Sequence, residues 1–110
     1  MKLPNGDYSH IGDKLKEYVL NPLHPRGKHK ARKFKSVLGI TLENPEPLIE
    51  ALLRAASTSQ EAITAGENQF GRLFELSFSL STNRDRATVS SVWMIRREED
   101  FPRLVTCFII

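Results

Sequence analysis

The order of apolar and polar residues divides the chain near Gly66 into a helical first part and a strand-forming second part. Over residues 74–80, apolar and polar residues alternate with period two, which predicts a half-buried strand. Similar patterns predict strands over residues 87–95 and 104–110, and the last is apolar enough to expect burial on both faces. Lys2-Leu3 is a candidate edge strand. The second part therefore predicts an antiparallel meander of three to four strands.

Apolar spacing predicts three helices in the first part. Residues 11–20 carry an apolar stripe at i, i+4, i+7 and i+8, with Ser9 as the expected N-cap. A second helix is expected over residues 27–38, ending at Gly39. A third is expected over residues 46–56, with a proline in its first turn.

The expected fold class is α+β, with N-terminal helices packed on the C-terminal antiparallel meander. A chain of 110 residues predicts a single domain. Its helical part covers about residues 1–65 and its sheet part about 69–110. Residues 57–66 read as a polar connection with room for one more helical turn.

Positive charge is concentrated in one block. Residues 18–42 contain no carboxylate, and the flanking acids are Glu17 and Glu43. The net charge of the whole chain is only +3, so the rest of the chain is net acidic. Such a block is expected to bind a polyanion, most commonly through phosphate groups. Its basic side chains are Arg26, Lys28, Lys30, Arg32, Lys33 and Lys35.

His24 lies between Pro22 and Pro25, just before the second predicted helix. Helix N-termini favour anions, and an imidazole moves protons near neutral pH. His24 is therefore a candidate general acid or base, or a phosphate donor, and the alternative is an exposed loop histidine. A phosphodiester transition state gathers charge on its oxygens, so Lys30 and Arg26 are candidates to stabilise it. Their alternative is a solvated helix face, and Lys33 fits general electrostatic attraction.

In the strand-forming part, Arg103 opens the last predicted strand and could reach a phosphate. Its alternative is an ion pair with an acid of residues 98–100. Thr106 is the hydroxyl inside an otherwise apolar strand and needs a partner or an open cleft, with a backbone hydrogen bond as the alternative. Trp93 is either a platform for stacking a base or a core residue.

Several classes of chemistry are disfavoured. The single cysteine, Cys107, leaves no internal disulfide and no Cys-rich zinc site, and its apolar surroundings predict a buried, inert thiol. The N-terminus lacks the pattern of a signal peptide, and no stretch has the length of a membrane span. A cytoplasmic protein with no metal and no cofactor is expected.

A further set of motifs covers most of the chain: K-L-K-E-Y-V-L-N at residues 14–21, His24-Pro25-Arg26-Gly27, Lys30-Ala31 with Phe34, Val92-Trp93, and P-R-L-V-T at residues 102–106. With these motifs the chain resembles a small uncharacterised bacterial domain family, whose members occur alone and at the C-termini of polymorphic toxins. Helices followed by an antiparallel sheet look like the barnase, EndoU, colicin and RelE group of metal-independent ribonucleases. The resemblance implies a ribonuclease whose working residues match His24, Lys30, Arg103 and Thr106.

The leading hypothesis is a metal-independent endoribonuclease, the toxin of a toxin–antitoxin pair, that cleaves RNA, with tRNA as one candidate, by 2′-hydroxyl attack. His24 transfers a proton, Lys30 and Arg103 hold the phosphate, and Thr106 positions the phosphate or a water. The expected RNA-binding residues are Arg26, Lys28, Arg32, Lys33 and Trp93, and the expected partner is a small acidic antitoxin or immunity protein.

Two alternatives remain open. A non-catalytic module could bind nucleic acid or an acidic protein through the basic residues 26–37. An antitoxin or immunity-like protein is weaker, because an inhibitor of a basic nuclease should present an acidic face.

Overall fold

The computed structural model describes all residues 1–110 and places helices before a four-stranded antiparallel sheet. The predicted α+β fold class is therefore confirmed. The strands β1 to β4 follow one another in space in their chain order. The sheet consists of β1 (Ile63–Asn68), β2 (Gly71–Ser81), β3 (Arg86–Arg96) and β4 (Pro102–Ile109). The helical segments are a 3-10 turn (Gly6–Tyr8), a first π-helical segment (Leu15–Val19), α1 (Lys28–Lys33), which continues into a second π-helical segment (Phe34–Leu38), and α2 (Glu46–Thr58).

The first predicted helix is shorter than expected, and its predicted start is wrong. Gly12 has a φ of 60°, a left-handed conformation that interrupts a helix, so the helical segment begins only at Leu15. Ser9 does not cap it, because the Ser9 hydroxyl donates to the carbonyl oxygen of Gly6 at 2.7 Å. His10 instead forms a short parallel bridge to Arg103 in β4.

The second and third predicted helices are confirmed. Gly39 has a φ of 70°, and its N–H donates to the carbonyl oxygen of Lys35 at 3.0 Å, so the second helix ends where the glycine was expected to end it. The helix α2 runs to Thr58, slightly beyond the predicted end. None of these helices combines the length and the apolar character that crossing a membrane requires.

The three predicted strands are confirmed, but β1 was missed and the strand at Lys2-Leu3 does not form. Every residue of β1 is exposed, so the strand has no apolar periodicity to reveal it. A tight turn joins it to β2, because the Asn68 side-chain oxygen accepts the N–H groups of Phe70 and Gly71 at 2.8 and 3.1 Å.

The hydrophobic core lies on one face of the sheet. Phe74, Trp93 and Leu104 are cross-strand neighbours and share that face. Phe34 from the second π-helical segment and Leu52 from α2 cover it, as part of a cluster of 20 buried residues. Because both halves of the chain contribute to this cluster, the helices and the sheet stabilise each other.

A bulge in β4 decides which way its polar residue points. Trp93 pairs with Leu104, whereas the preceding Val92 pairs with Thr106, so Val105 is an extra residue. The extra residue turns Thr106 to the sheet face opposite the core. The expectation that this strand is buried on both faces is therefore wrong, since only its core-facing side is closed.

Candidate functional site

The ammonium group of Lys30 joins two segments that are distant in the chain. Its Nζ donates to Tyr18 Oη at 2.7 Å and to Thr106 Oγ1 at 2.9 Å. It also lies 4.6 Å from the centroid of the Tyr18 ring and 5.7 Å from that of Phe108. No carboxylate pairs with it, because both salt bridges of the chain are made to Glu99. We call Tyr18, His24, Lys30 and Thr106 the Lys30 site; it carries a positive charge that no acid neutralises.

Local packing positions two members of this site, Tyr18 and Lys30. Leu15 and Val19 are buried, which leaves Tyr18 on the partly exposed side of the first π-helical segment. Gly27 lies directly against Tyr18, since a Cβ at position 27 would overlap the Tyr18 carbonyl oxygen. The glycine therefore allows the start of α1 to contact Tyr18, and Lys30 follows within the first turn.

His24 contacts the same site through its ring. The ring lies edge-on to Tyr18, with centroids 4.7 Å apart. Its Nδ1 accepts the backbone N–H groups of Arg26 and Gly27, both at 3.0 Å, and so holds the turn that leads into α1. A nitrogen that accepts hydrogen bonds carries no proton, so the neutral ring holds its proton on Nε2. His24 therefore offers an N–H donor, while its acceptor nitrogen is already engaged.

The environment of Tyr18 favours its phenolate. The hydrogen bond from Lys30 lowers the pKa of Tyr18 below its usual value, and the charge of Lys30 acts in the same direction. The Thr106 hydroxyl and the charge of Arg26 contribute further lowering, while burial opposes it. Tyr18 was expected only as an apolar stripe residue, so the sequence reasoning missed it. The signal that was available is its phenol, which needs a partner when partly buried.

The structure does not bring Arg103 into the Lys30 site. Its Nε and Nη2 donate to the two carboxylate oxygens of Glu99 at 2.8 and 2.7 Å, and its guanidinium lies 4.9 Å from the Phe101 ring centroid. The hydrogen bonds from Arg103 lower the pKa of Glu99, and those same bonds raise the pKa of Arg103. The structure therefore shows the alternative ion pair, and it shows no hydrogen bond from Arg103 to a member of the Lys30 site.

Trp93 does not line the site either. It is fully buried, and its Nε1 donates to Ser91 Oγ at 2.9 Å, so neither face of the ring is open to a base. The stacking role is corrected to the core role. Cys107 is also fully buried, and burial raises the pKa of its thiol to about 12, which makes it the inert thiol that was expected. No three His, Cys, Asp or Glu side chains group closely enough to hold a metal ion.

Among the other predicted phosphate-binding residues, those of α1 lie apart from the Lys30 site. Lys28 and Arg32 line a groove of about 430 Å³ between α1 and residues 41–43, together with Lys35. With 3.6 residues per turn, Lys28 and Arg32 lie on the side of α1 opposite Lys30, so the groove lies on that side. Lys33 is exposed on α1 outside the groove. The structure therefore separates a basic groove, made of Lys28, Arg32 and Lys35, from the Lys30 site.

Arg26 belongs to the Lys30 side of the helix. It is exposed, and with Tyr18 and His24 it lines an open cavity of about 500 Å³. Solvent and ligands can therefore reach the phenol and the imidazole from this cavity. The cavity is completed by Asp13, Lys14 and Glu17.

Comparison with known proteins gives a family but no activity. The family model described as Domain of unknown function (DUF6883) matches residues 2–110. No curated protein matches the chain, and no solved structure does. The residues of the Lys30 site and the charges around it are therefore the basis for inferring the chemistry of this chain.

Proposed function

Because the chain belongs to this family of unknown function over nearly its whole length, we propose an activity from the site itself: metal-independent endoribonuclease, cleaving RNA by 2′-hydroxyl attack. The observation that carries the proposal is the Lys30 ammonium. It is held by Tyr18 and Thr106 and has no carboxylate partner, and the Tyr18 ring that it contacts also packs edge-on against the His24 ring. An ordered, unneutralised cation next to hydrogen-bond donors suits a scissile phosphate.

In the proposed mechanism, the 2′-oxygen attacks the adjacent phosphorus and the 5′-oxygen leaves. Negative charge grows on the non-bridging oxygens, where Lys30 stabilises it. His24 donates its Nε2–H to the same phosphate, a role supported by the engagement of Nδ1 with two backbone N–H groups. Thr106 fixes the Lys30 ammonium from the sheet side. The products are a 2′,3′-cyclic phosphate and a free 5′-hydroxyl.

The exposed cations around α1 are proposed to bind the RNA backbone. Arg26 opens onto the cavity beside His24, and Lys28, Arg32 and Lys33 are exposed along the helix. Contacts of this kind release counterions, so affinity should fall steeply with salt concentration. These phosphate contacts, on both sides of the helix, would give affinity for RNA that does not depend on base sequence.

The proposal includes a biological setting, that of a cytoplasmic toxin acting on cellular RNA, tRNA among the candidates. A small acidic antitoxin or immunity protein is the partner that a carboxylate-free basic block favours, because it would cover the cations that RNA needs. Induced expression in a bacterial host is expected to stop growth for the wild type but not for Lys30→Met. Equal growth of both strains would argue against the toxin role.

The activity is tested by incubating purified protein with total cellular RNA in EDTA. Lys30→Met should lower the cleavage rate by roughly 10²–10³-fold, the usual cost of removing one charge-stabilising donor. Lys16→Met is the matched control, since Lys16 is an exposed lysine of the first π-helical segment. Discrete fragments from the wild type and Lys16→Met support the proposal, whereas intact RNA with every protein contradicts it.

The basic groove favours a second candidate, a non-catalytic binding module. Its three cations share one side of α1 and of the π-helical segment that continues it, away from the Lys30 site, so they could bind a polyanion without chemistry. This module predicts intact RNA together with salt-sensitive binding that charge reversal at Lys28 or Arg32 abolishes. It also predicts that Lys30→Met has little effect.

A further inference from the structure

Tyr18 and Lys30 are directly hydrogen-bonded at the centre of the Lys30 site. Their Oη and Nζ atoms are 2.7 Å apart, and Thr106 holds the same ammonium from the other side. Tyr18 opens onto the cavity that His24 and Arg26 line. Resting on the ribonuclease proposed above, we propose that Tyr18 is its general base and Lys30 its general acid.

His24 is poorly placed for either of these roles. To act as a base through Nε2, the ring would need its proton on Nδ1, where the N–H groups of Arg26 and Gly27 already point. To act as an acid, the ring would need protons on both nitrogens, which meets the same obstacle. Either state would remove the two hydrogen bonds that hold the turn before α1. The phenol of Tyr18 is the neighbouring group whose proton can move without disturbing the fold.

The proton transfers balance over one turnover. The Tyr18 phenolate takes the 2′-hydroxyl proton while the bond from the 2′-oxygen to phosphorus forms. The bond from phosphorus to the 5′-oxygen breaks, and that oxygen takes a proton from the Lys30 ammonium. Tyr18 then passes its new proton to the neutral Lys30 amine across their hydrogen bond, which restores the starting state.

The groups that face Tyr18 make its proton easier to lose. Lys30 approaches from α1, Arg26 from the preceding loop, and the Thr106 hydroxyl from β4. Together they keep the pKa of Tyr18 below its usual value, despite the opposing effect of burial. The other ionisable groups on the same cavity are Asp13, Lys14, Glu17 and His24.

The pair can be tested first without any substrate. The chain has two tyrosines, Tyr8 and Tyr18, and Tyr8 is 70% exposed. In a Tyr8→Phe protein, the near-ultraviolet absorbance of phenolate therefore reports Tyr18 alone. We expect its titration midpoint below the usual value of about 10, moving to higher pH when Lys30→Met is added. A midpoint at or above the usual value, or one that ignores Lys30→Met, overturns the inference.

The second test is the pH dependence of RNA cleavage. Tyr18→Phe keeps the ring against His24 and Lys30 but should lower the rate by roughly 10²–10⁴-fold and abolish the rise in rate with pH. Tyr8→Phe should retain the wild-type rate and profile. If Tyr18→Phe folds and keeps the wild-type cleavage rate and pH profile, the proposed ribonuclease activity is retained but its general base is not Tyr18. If the wild type cleaves no RNA, the ribonuclease proposal and this inference fall together, whatever the Tyr18 titration shows.

Discussion

Lys30 Nζ donates a hydrogen bond to Thr106 Oγ1 at 2.9 Å, although the two residues are 76 positions apart. The contact exists because the bulge at Val105 turns Thr106 away from the core and towards the edge where α1 lies. The helical half supplies the cation and the sheet half supplies its acceptor. The site therefore forms only when both halves are packed together.

Removing the Thr106 hydroxyl should weaken the site without unfolding the protein. Thr106→Val keeps the branched shape but removes the acceptor from Lys30, so the ammonium loses one of its two hydrogen bonds. A hydrogen bond to a charged group contributes about 1.5–3 kcal/mol, so cleavage should fall by about tenfold or more. Thr106→Ser restores the hydroxyl and should recover most of the rate. Similar cleavage rates for Thr106→Val and Thr106→Ser would show that the Thr106 hydroxyl does not contribute to cleavage.

Two substitutions of His24 separate its structural role from its chemical role. His24→Asn places an oxygen near the Nδ1 position, so it can still accept the N–H groups of Arg26 and Gly27, but it removes Nε2. We expect near wild-type stability with slower cleavage. His24→Gln loses both hydrogen bonds to the turn and should lower the free energy of unfolding by about 1 kcal/mol. Urea unfolding and cleavage rates measured in parallel check both expectations; a fully active His24→Asn would leave only the structural role.

Charge reversal in the basic groove should weaken RNA binding with a characteristic salt signature. Lys28→Glu or Arg32→Glu should raise the Kd for RNA and lower the slope of log Kd against log salt by about 1 for each phosphate that the protein no longer neutralises. Arg54→Glu is the matched control, because Arg54 is also exposed but lies on α2. Titrations at several salt concentrations measure the slope. Equal effects at all three positions would mean that net charge, and not the groove, determines binding.

The pair of Glu99 and Arg103 should contribute stability that disappears in acid. The pKa of Glu99 is lowered from 4.5, so its contribution is present above pH 4.5 and is lost as the pH falls through the lower folded-state value. Arg103→Gln removes the hydrogen bonds that cause the lowering. Stability curves from neutral pH to pH 2 should therefore fall less steeply for Arg103→Gln over this acidic range. Parallel curves would show that the pair does not contribute.

The sequence predicted the elements that have one regularly buried face. The helix over residues 27–38 and the strands around residues 74–80 and 87–95 carry clear periodicity, because each packs one side on the core. The strand β1 was missed because it buries no side chain. The late start of the first helix depends on the φ of Gly12, and the bulge at Val105 depends on strand register; both are set by tertiary packing.

For the site, sequence reasoning identified Lys30 but not its partner Tyr18. His24, Lys30 and Thr106 were all singled out, and the structure groups them. Tyr18 was missed because its spacing fits an apolar stripe, and the hydrogen bond that exposes its chemistry comes from another segment. For Arg103, an ion pair with an acid of residues 98–100 was the stated alternative to a phosphate contact, and the turn before β4 brings Glu99 to it.

The central claim is that this protein cleaves RNA through the 2′-hydroxyl at the Lys30 site. The most direct measurement incubates the wild type, in EDTA, with an end-labelled RNA that it cuts and with the same RNA carrying a single 2′-deoxy substitution at the cut position. We expect a 2′,3′-cyclic phosphate end from the first RNA and no cut at that position in the second. Cleavage of the deoxy-substituted RNA, or no cleavage of any RNA by the wild type, would contradict the account.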